Sequence, residues 1–211
     1  MSNFLAVDTS GNHLAVVAVK NGKKYATYVE NCAMKHAVSV MPAVDETLKK
    51  ADMRLEECDF FGAVVGAGSF TGIRIGISTV KGFALAFGKP TLAITSFDVA
   101  AYNTIDSQEK KILCLVDALH DCYYACGYED GEMILPPAYL TEEEVLALVS
   151  QGYTPVGGEL PLSQKTETVR IDPVEGLFNA AERLAAKGAF GELTALYVRK
   201  SSAELNAEGK H

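Results

Sequence analysis

The stretch FLAVDTS, residues 4–10, has an echo at ILCLVDAL, residues 112–119. Each is an apolar, β-rich run that ends in an aspartate followed by a turn. After the first, HLAVVAV and KKYATYVE read as two more strands, joined by Asn21-Gly22, a pair suited to the positive φ angles of a type I′ hairpin turn. A second such pair, Asp130-Gly131, follows the echo. Asp8 and Asp117 stand 109 positions apart, and so do Gly22 and Gly131. A strand-end aspartate and a hairpin turn recur in register, which reads as an internal structural repeat.

Working outward, His36 to Ala51 has helical spacing, with Ala37, Met41, Val44, Leu48 and Ala51 on one stripe. Pro42 must kink this helix or lie near its start. FFGAVVG, residues 60–66, reads as a buried strand running into a glycine loop, and a helix follows from about Ile73 to Phe87. TLAIT is a further strand and a shorter helix begins at Ser96, so the first half is βββαβαβα. The second half opens the same way, with a short third strand, a helix from Thr141 to Ser150, a strand at TPVGG and a helix from Glu175 to Lys187. The tail after Arg199 reads as loose. No low-complexity linker intervenes, so residues 1–107 and a smaller 108–211 are expected to pack as two lobes of one body. A duplicated βββαβα unit with an aspartate ending its first strand is the plan of the actin, sugar-kinase and Hsp70 (ASKHA) fold. The expected class is therefore α/β, two such lobes, with the second reduced.

At 211 residues, 48% hydrophobic and 22% charged, the chain can bury a substantial core. A net charge of -8 argues against a broad basic surface, so a direct grip on a phosphate backbone is not expected. The five cysteines are odd in number, lie in apolar contexts and form no CxxC, which points to reduced core thiols and a cytoplasmic location. No apolar stretch is read as reaching the roughly 18 residues of a membrane span, and the start lacks a signal-peptide pattern.

In the ASKHA plan each lobe offers a hairpin loop to the phosphates of a nucleotide. Asp8, Thr9 and Ser10, with Gly11, could serve as the first, supplying hydroxyls, backbone N–H groups and a carboxylate for hydrated Mg²⁺. The plainer reading of Asp8 is a strand-end turn residue. The second loop, Asp117-Ala118-Leu119-His120, has lost the small hydroxyl residues. An ATP-dependent small-molecule kinase using Asp8 and Ser10 is the alternative function. The glycine loop GAGSFTGIRIG, residues 66–76, fits neither phosphate template: Thr71, Gly72 and Ile73 stand where a Walker loop needs Gly, Lys and a hydroxyl, and Thr71 replaces the third glycine of GxGxxG. In the following helix, Ile73, Ile77, Val80, Ala84 and Phe87 suit a sheet. Gly72, Gly76, Thr79, Phe83 and Ala86 form a stripe, mostly of small residues, that admits a second helix, from His36 to Ala51 or from another chain. The four histidines, His13, His36, His120 and His211, have no metal-ligand spacing, so no metal is expected, and no serine or cysteine stands in a hydrolase motif. His36 at a helix start reads as a surface or capping residue.

GSFTGIRIG, with FLAVDTS, KHAVSVMPAVDETL and the late YVRKSSAE, resembles the TsaB (YeaZ) family over nearly the whole chain. The resemblance implies an ASKHA-fold protein that is not an enzyme on its own and carries no catalytic residues or resident cofactor. It would bind the paralogue TsaD, with the ATPase TsaE joining them. TsaD transfers threonylcarbamoyl from its adenylate to N6 of the tRNA adenosine 3′ of the anticodon. The resemblance further implies pairing through the first two helices, with TsaD or as a homodimer when TsaD is absent. The residues so assigned are His36, Met41, Val44, Leu48, Gly72, Arg74, Ile75, Gly76, Ser78, Thr79, Gly82 and Phe83. Contact with tRNA would be indirect, no membrane is involved, and a nucleotide could sit at the partner interface. Ile75→Glu or Gly76→Arg is expected to abolish pairing with the fold intact.

Overall fold

The computed structural model describes residues 2–104, 111–130 and 132–199. Its central strand, β1 (Phe4–Asp8), is buried along its whole length and pairs antiparallel with β2 (Leu14–Lys20) and parallel with β4 (Phe60–Val64). With β3 (Lys23–Val29) and β5 (Thr91–Ile94) the sheet order is β3-β2-β1-β4-β5. The second sheet contains β6 (Lys111–Asp117), β7 (Cys122–Glu129), β8 (Glu132–Thr141), β9 (Thr154–Gly157) and β10 (Val169–Arg170), in the order β8-β7-β6-β9-β10. The two orders superimpose element for element, so the repeat announced by Asp8 and Asp117 is structural. Each aspartate ends its strand and accepts a hydrogen bond from the backbone N–H two residues on: Ser10 to Asp8 at 2.8 Å, and Leu119 to Asp117 at 2.8 Å. Asn21 and Gly22 both have positive φ, 52° and 76°, as a type I′ turn requires. Asp130 has φ 48°, while Gly131 lies outside the described residues, as do His211 and the tail read as loose.

Alternation along the first sheet sends its side chains to two cores. On one face Leu5, Val7, Val16, Ala18 and Phe61 meet α1 (His36–Ala51) and α2 (Phe70–Phe87). On the other, Phe4, Ala6, Val17, Val19 and Phe60 meet α5 (Pro173–Ala186) through Leu177, Ala180 and Ala181. Thus α5, read as part of the second lobe, covers the first sheet. Between the sheets, Phe97, Ala100 and Ala101 of α3 (Ser96–Asn103) pack on Ile112, Cys114, Cys126 and Val156. Helix α4 (Glu142–Ser150), N-capped by Thr141, sends Val145 into the last core with Leu113, Leu115 and Tyr123.

Three expectations are corrected. Strand β8 is ten residues long rather than short; Pro136-Pro137 fall where its pairing with β7 shifts register, so the ladder does not require their missing N–H groups. In α1 the buried residues are His36, Val40, Ala43, Val44, Thr47 and Ala51, so Ala37 and Met41 face outward. Thr47 can lie inside because its hydroxyl donates to the Ala43 carbonyl at 2.8 Å. Finally, α2 is long and apolar enough, by length and composition alone, to match a membrane span, although it carries Arg74 and Lys81. Its inner side, Ile73, Ile77, Val80 and Phe83, sits in the first core.

Beyond α5 the chain returns to the first sheet as a strap. Phe190 bridges Leu92 of β5 and stacks edge-on against Phe60, Leu193 is 1% exposed, and Leu196 donates its N–H to the Val65 carbonyl at 2.7 Å.

Candidate functional site

The carboxyl ends of β1 and β4 meet the start of α2, where an ASKHA protein would place a phosphate loop. Asp8, Thr9 and Ser10 are 2%, 0% and 5% exposed. Both Asp8 oxygens are taken: Oδ1 accepts from the Ser10 backbone N–H and the Ser10 hydroxyl, at 2.8 and 2.7 Å, and Oδ2 lies 3.2 Å from His13 Nε2. Burial by itself would raise the Asp8 carboxyl, but the hydrogen bond and charge of His13 and the two Ser10 bonds outweigh it and leave the group below its usual value. Burial would lower the His13 imidazole, and the bond and charge of Asp8 instead raise it. Asp8 and His13 thus form a hydrogen-bonded pair, an ion pair when the imidazole is protonated, that ties the loop to β2.

The hydroxyls are committed as well. Thr9 Oγ1 donates to the Gly72 carbonyl at 2.7 Å, and the Ser10 carbonyl accepts from the Ser69 N–H at 2.7 Å. The Ser69 hydroxyl in turn accepts from the Gly72 N–H at 3.2 Å and caps α2. The glycines of GAGSFTGIRIG are explained by this seat. A Cβ at Gly68 would strike the Ser10 carbonyl, one at Gly72 the Thr9 carbonyl, and one at Gly76 would meet Thr9 Oγ1 at 2.5 Å. Here the glycines admit the chain's own β1–β2 loop. The expectation that Gly72 and Gly76 form a stripe for a second helix is corrected accordingly.

The second loop is different. Leu119, His120 and Asp121 all have positive φ, near 55–64°, and Leu119 is 65% exposed. Asp117 lines an open hollow of about 410 Å³ with Gly158, Leu160, Ser163 and Arg170.

The residues assigned to pairing fall into two groups. Met41, Arg74, Ser78 and Gly82 are exposed, and Leu48, Ile75 and Thr79 are partly so. His36, Val44, Gly72, Gly76 and Phe83 are buried in the chain's own fold. His36 is 1% exposed, with Nε2 2.9 Å from the His13 carbonyl, so it is neither a surface nor a capping residue. The open face of α1 and α2 also carries residues that sequence reading missed: Val38 is 73% and Leu85 88% exposed, and Met34, just before α1, is 97% exposed. Their positions beside the buried stripe were readable; the tilt of α1 was not. Tyr197 was missed too. Its ring stacks on Phe70 at 4.7 Å and its hydroxyl accepts from Arg74 Nε at 2.9 Å. Among the described residues no group of His, Cys, Asp and Glu could hold a metal.

Two sheets of one topology, flanked by helices and joined through α3, with paired strand-end aspartates, define an α/β protein of the ASKHA class. Residues 27–166 match the family model described as TsaD, tRNA N6-adenosine threonylcarbamoyltransferase. The chain belongs to that family, on its TsaB/YeaZ branch. It is 31% identical over 116 residues to the tRNA threonylcarbamoyladenosine biosynthesis protein TsaB of Buchnera aphidicola subsp. Schizaphis graminum, covering 54% of this chain and 55% of that one. With the Bacillus subtilis TsaB it shares 32% identity over 100 residues, 47% of this chain and 44% of the other. The chain thus spans about half the length of these curated relatives. The Escherichia coli TsaB aligns over 98% of this chain and 99% of its own length at 24% identity. The solved structure of YeaZ from Pseudomonas aeruginosa superimposes with a TM-score of 0.78 at 27% identity, covering 93% of this chain and all of that one.

Proposed function

We propose that this chain is a non-catalytic subunit in threonylcarbamoyladenosine formation on tRNA, binding and supporting a TsaD-type catalytic paralogue. TsaE would join the pair, and TsaD would transfer threonylcarbamoyl to N6 of the adenosine 3′ of the anticodon. The chain supplies a surface rather than a chemical step, touches tRNA only through its partners, works in the cytoplasm, and uses the same face to form a homodimer when TsaD is absent.

The observation that carries this reading is the open apolar face of α1 and α2. Val38, Met41 and Leu85, on helices that otherwise serve the first core, are exposed by 73%, 50% and 88%, and Met34, just before α1, by 97%. Large apolar side chains left exposed on two helices that cover the same side of a sheet suit a protein-binding surface. The committed Asp8-Thr9-Ser10 loop supports the non-catalytic part, because its carboxylate is buried and already holds Ser10 and His13, which leaves little access for hydrated Mg²⁺.

The test is calorimetric titration of the full chain with TsaD from the same genome, against Val38→Asp and Leu85→Asp. Both substitutions sit on exposed positions, so the unfolding temperature should hold while binding weakens by about 100-fold or more. Unchanged affinity in both variants would refute the assigned face.

A further inference from the structure

Arg74 stands on the exposed side of α2, one turn above Phe70, and its guanidinium is held from two directions. Its centre lies 3.7 Å from the Phe70 ring centroid, and Nε donates to the Tyr197 hydroxyl at 2.9 Å. Tyr197 is itself fixed by stacking on Phe70 and by the strap, whose Leu196 N–H is bonded to Val65 and whose Leu193 is buried. The strap therefore crosses from α5 to lay an aromatic ring beside the open α1–α2 face.

Among the described residues Arg74 has no carboxylate partner, although eight other basic side chains take part in ion pairs. With Nε occupied and one face covered by a ring, the terminal Nη1 and Nη2 groups remain to donate, and they form the edge that binds a carboxylate in two parallel hydrogen bonds. A long side chain already held in place loses little freedom when it binds, which is the property of an arginine that dominates an interface.

We propose that Arg74, buttressed by Phe70 and Tyr197, is the polar anchor of the partner-binding face, and that it pairs with an Asp or Glu side chain of the protein that docks on α1 and α2. This rests on the partner-subunit reading and extends it. The face combines apolar contact through Val38, Met41 and Leu85 with one charge-assisted bond at its edge, and the C-terminal strap is part of it. Phe70 and Tyr197 are positioning residues that act through Arg74.

The experiment titrates TsaD with the full wild-type chain, Arg74→Gln, Arg74→Lys, Tyr197→Phe and Leu85→Asp, at two salt concentrations. Arg74→Gln should weaken binding by about tenfold or more, and its affinity should fall less with added salt than that of the wild type. Arg74→Lys should recover only part of the loss, because an ammonium lacks the fork. Tyr197→Phe keeps the stack but removes the hydroxyl and should weaken binding less than Arg74→Gln. Wild-type binding lost in Leu85→Asp but unchanged in affinity and salt response in Arg74→Gln would overturn this inference and leave the partner reading standing. No binding by the wild-type chain would overturn both.

Discussion

Gly72, Gly76 and Gly82 lie on a single helix, and a side chain at each would meet different surroundings. A Cβ at Gly72 would run into the Thr9 carbonyl, one at Gly76 would meet Thr9 Oγ1, and one at Gly82 would meet nothing within 4 Å. Gly72→Ala should therefore cost about 2 kcal/mol or more, since a backbone carbonyl cannot swing aside. Gly82→Ala should gain about 0.5–1 kcal/mol by restricting the unfolded chain. Denaturant unfolding of the two variants reads both signs. The same geometry rules out Gly76→Arg as a clean test of partner binding, because it would unseat the β1–β2 loop first. At the neighbouring ion pair the contributions run in opposite directions with pH. The Asp8 carboxyl lies below its ordinary value of 3.8, so its contribution is present above that pH and is lost as pH falls through the lowered value. The His13 imidazole lies above its ordinary value of 6.5, so its contribution is complete below 6.5 and is lost as pH rises through the raised value. His13→Gln should cost about 1–3 kcal/mol near pH 5.5 and less at pH 9, compared by unfolding at the two pH values.

Elements were more legible than their neighbours. Strands β1 to β3 and the Asn21-Gly22 turn follow from β-rich runs and turn chemistry, and α4 has Thr141 at its start with Glu144 at the third helical position, whose carboxylate accepts the Thr141 N–H at 2.8 Å. The direction in which a helix faces was harder to read. Two stripes of α1 have nearly equal apolar content, and only the sheet chooses between Met41 and Thr47 for the inside. The Asp8 loop shows the same limit: its residues suit a phosphate clamp and suit a self-bonded turn equally well, and the choice depends on Ser69 and Gly72, some sixty residues away in sequence. The strap was invisible as an element because it forms no regular ladder; its backbone pairing is one bridge and a few hydrogen bonds, and the rest of its hold is side-chain packing. Leu193 nonetheless belongs to the first core, and Leu193→Ala should cost about 2–5 kcal/mol, measured by denaturant unfolding. Loss of no more than about 0.5 kcal/mol would mean that the strap is only loosely attached.

At the scale of the molecule, one fold plan appears twice and has been used differently each time. The first sheet is covered on both faces and its loop is closed onto α2, whereas the second ends in an open hollow beside Asp117. What remains outward on the first lobe is the solvent side of α1 and α2, with Val38, Met41 and Leu85 exposed. The account explains that exposure by a protein partner. The measurement that tests it most directly is calorimetric titration of the full chain with TsaD from the same genome, beside a titration with Mg-ATP alone. Saturable binding to TsaD that Leu85→Asp abolishes, with no heat from Mg-ATP, is the predicted result. Tight Mg-ATP binding lost on Asp8→Asn, with no binding of TsaD, would contradict the account and make the first loop a working phosphate clamp.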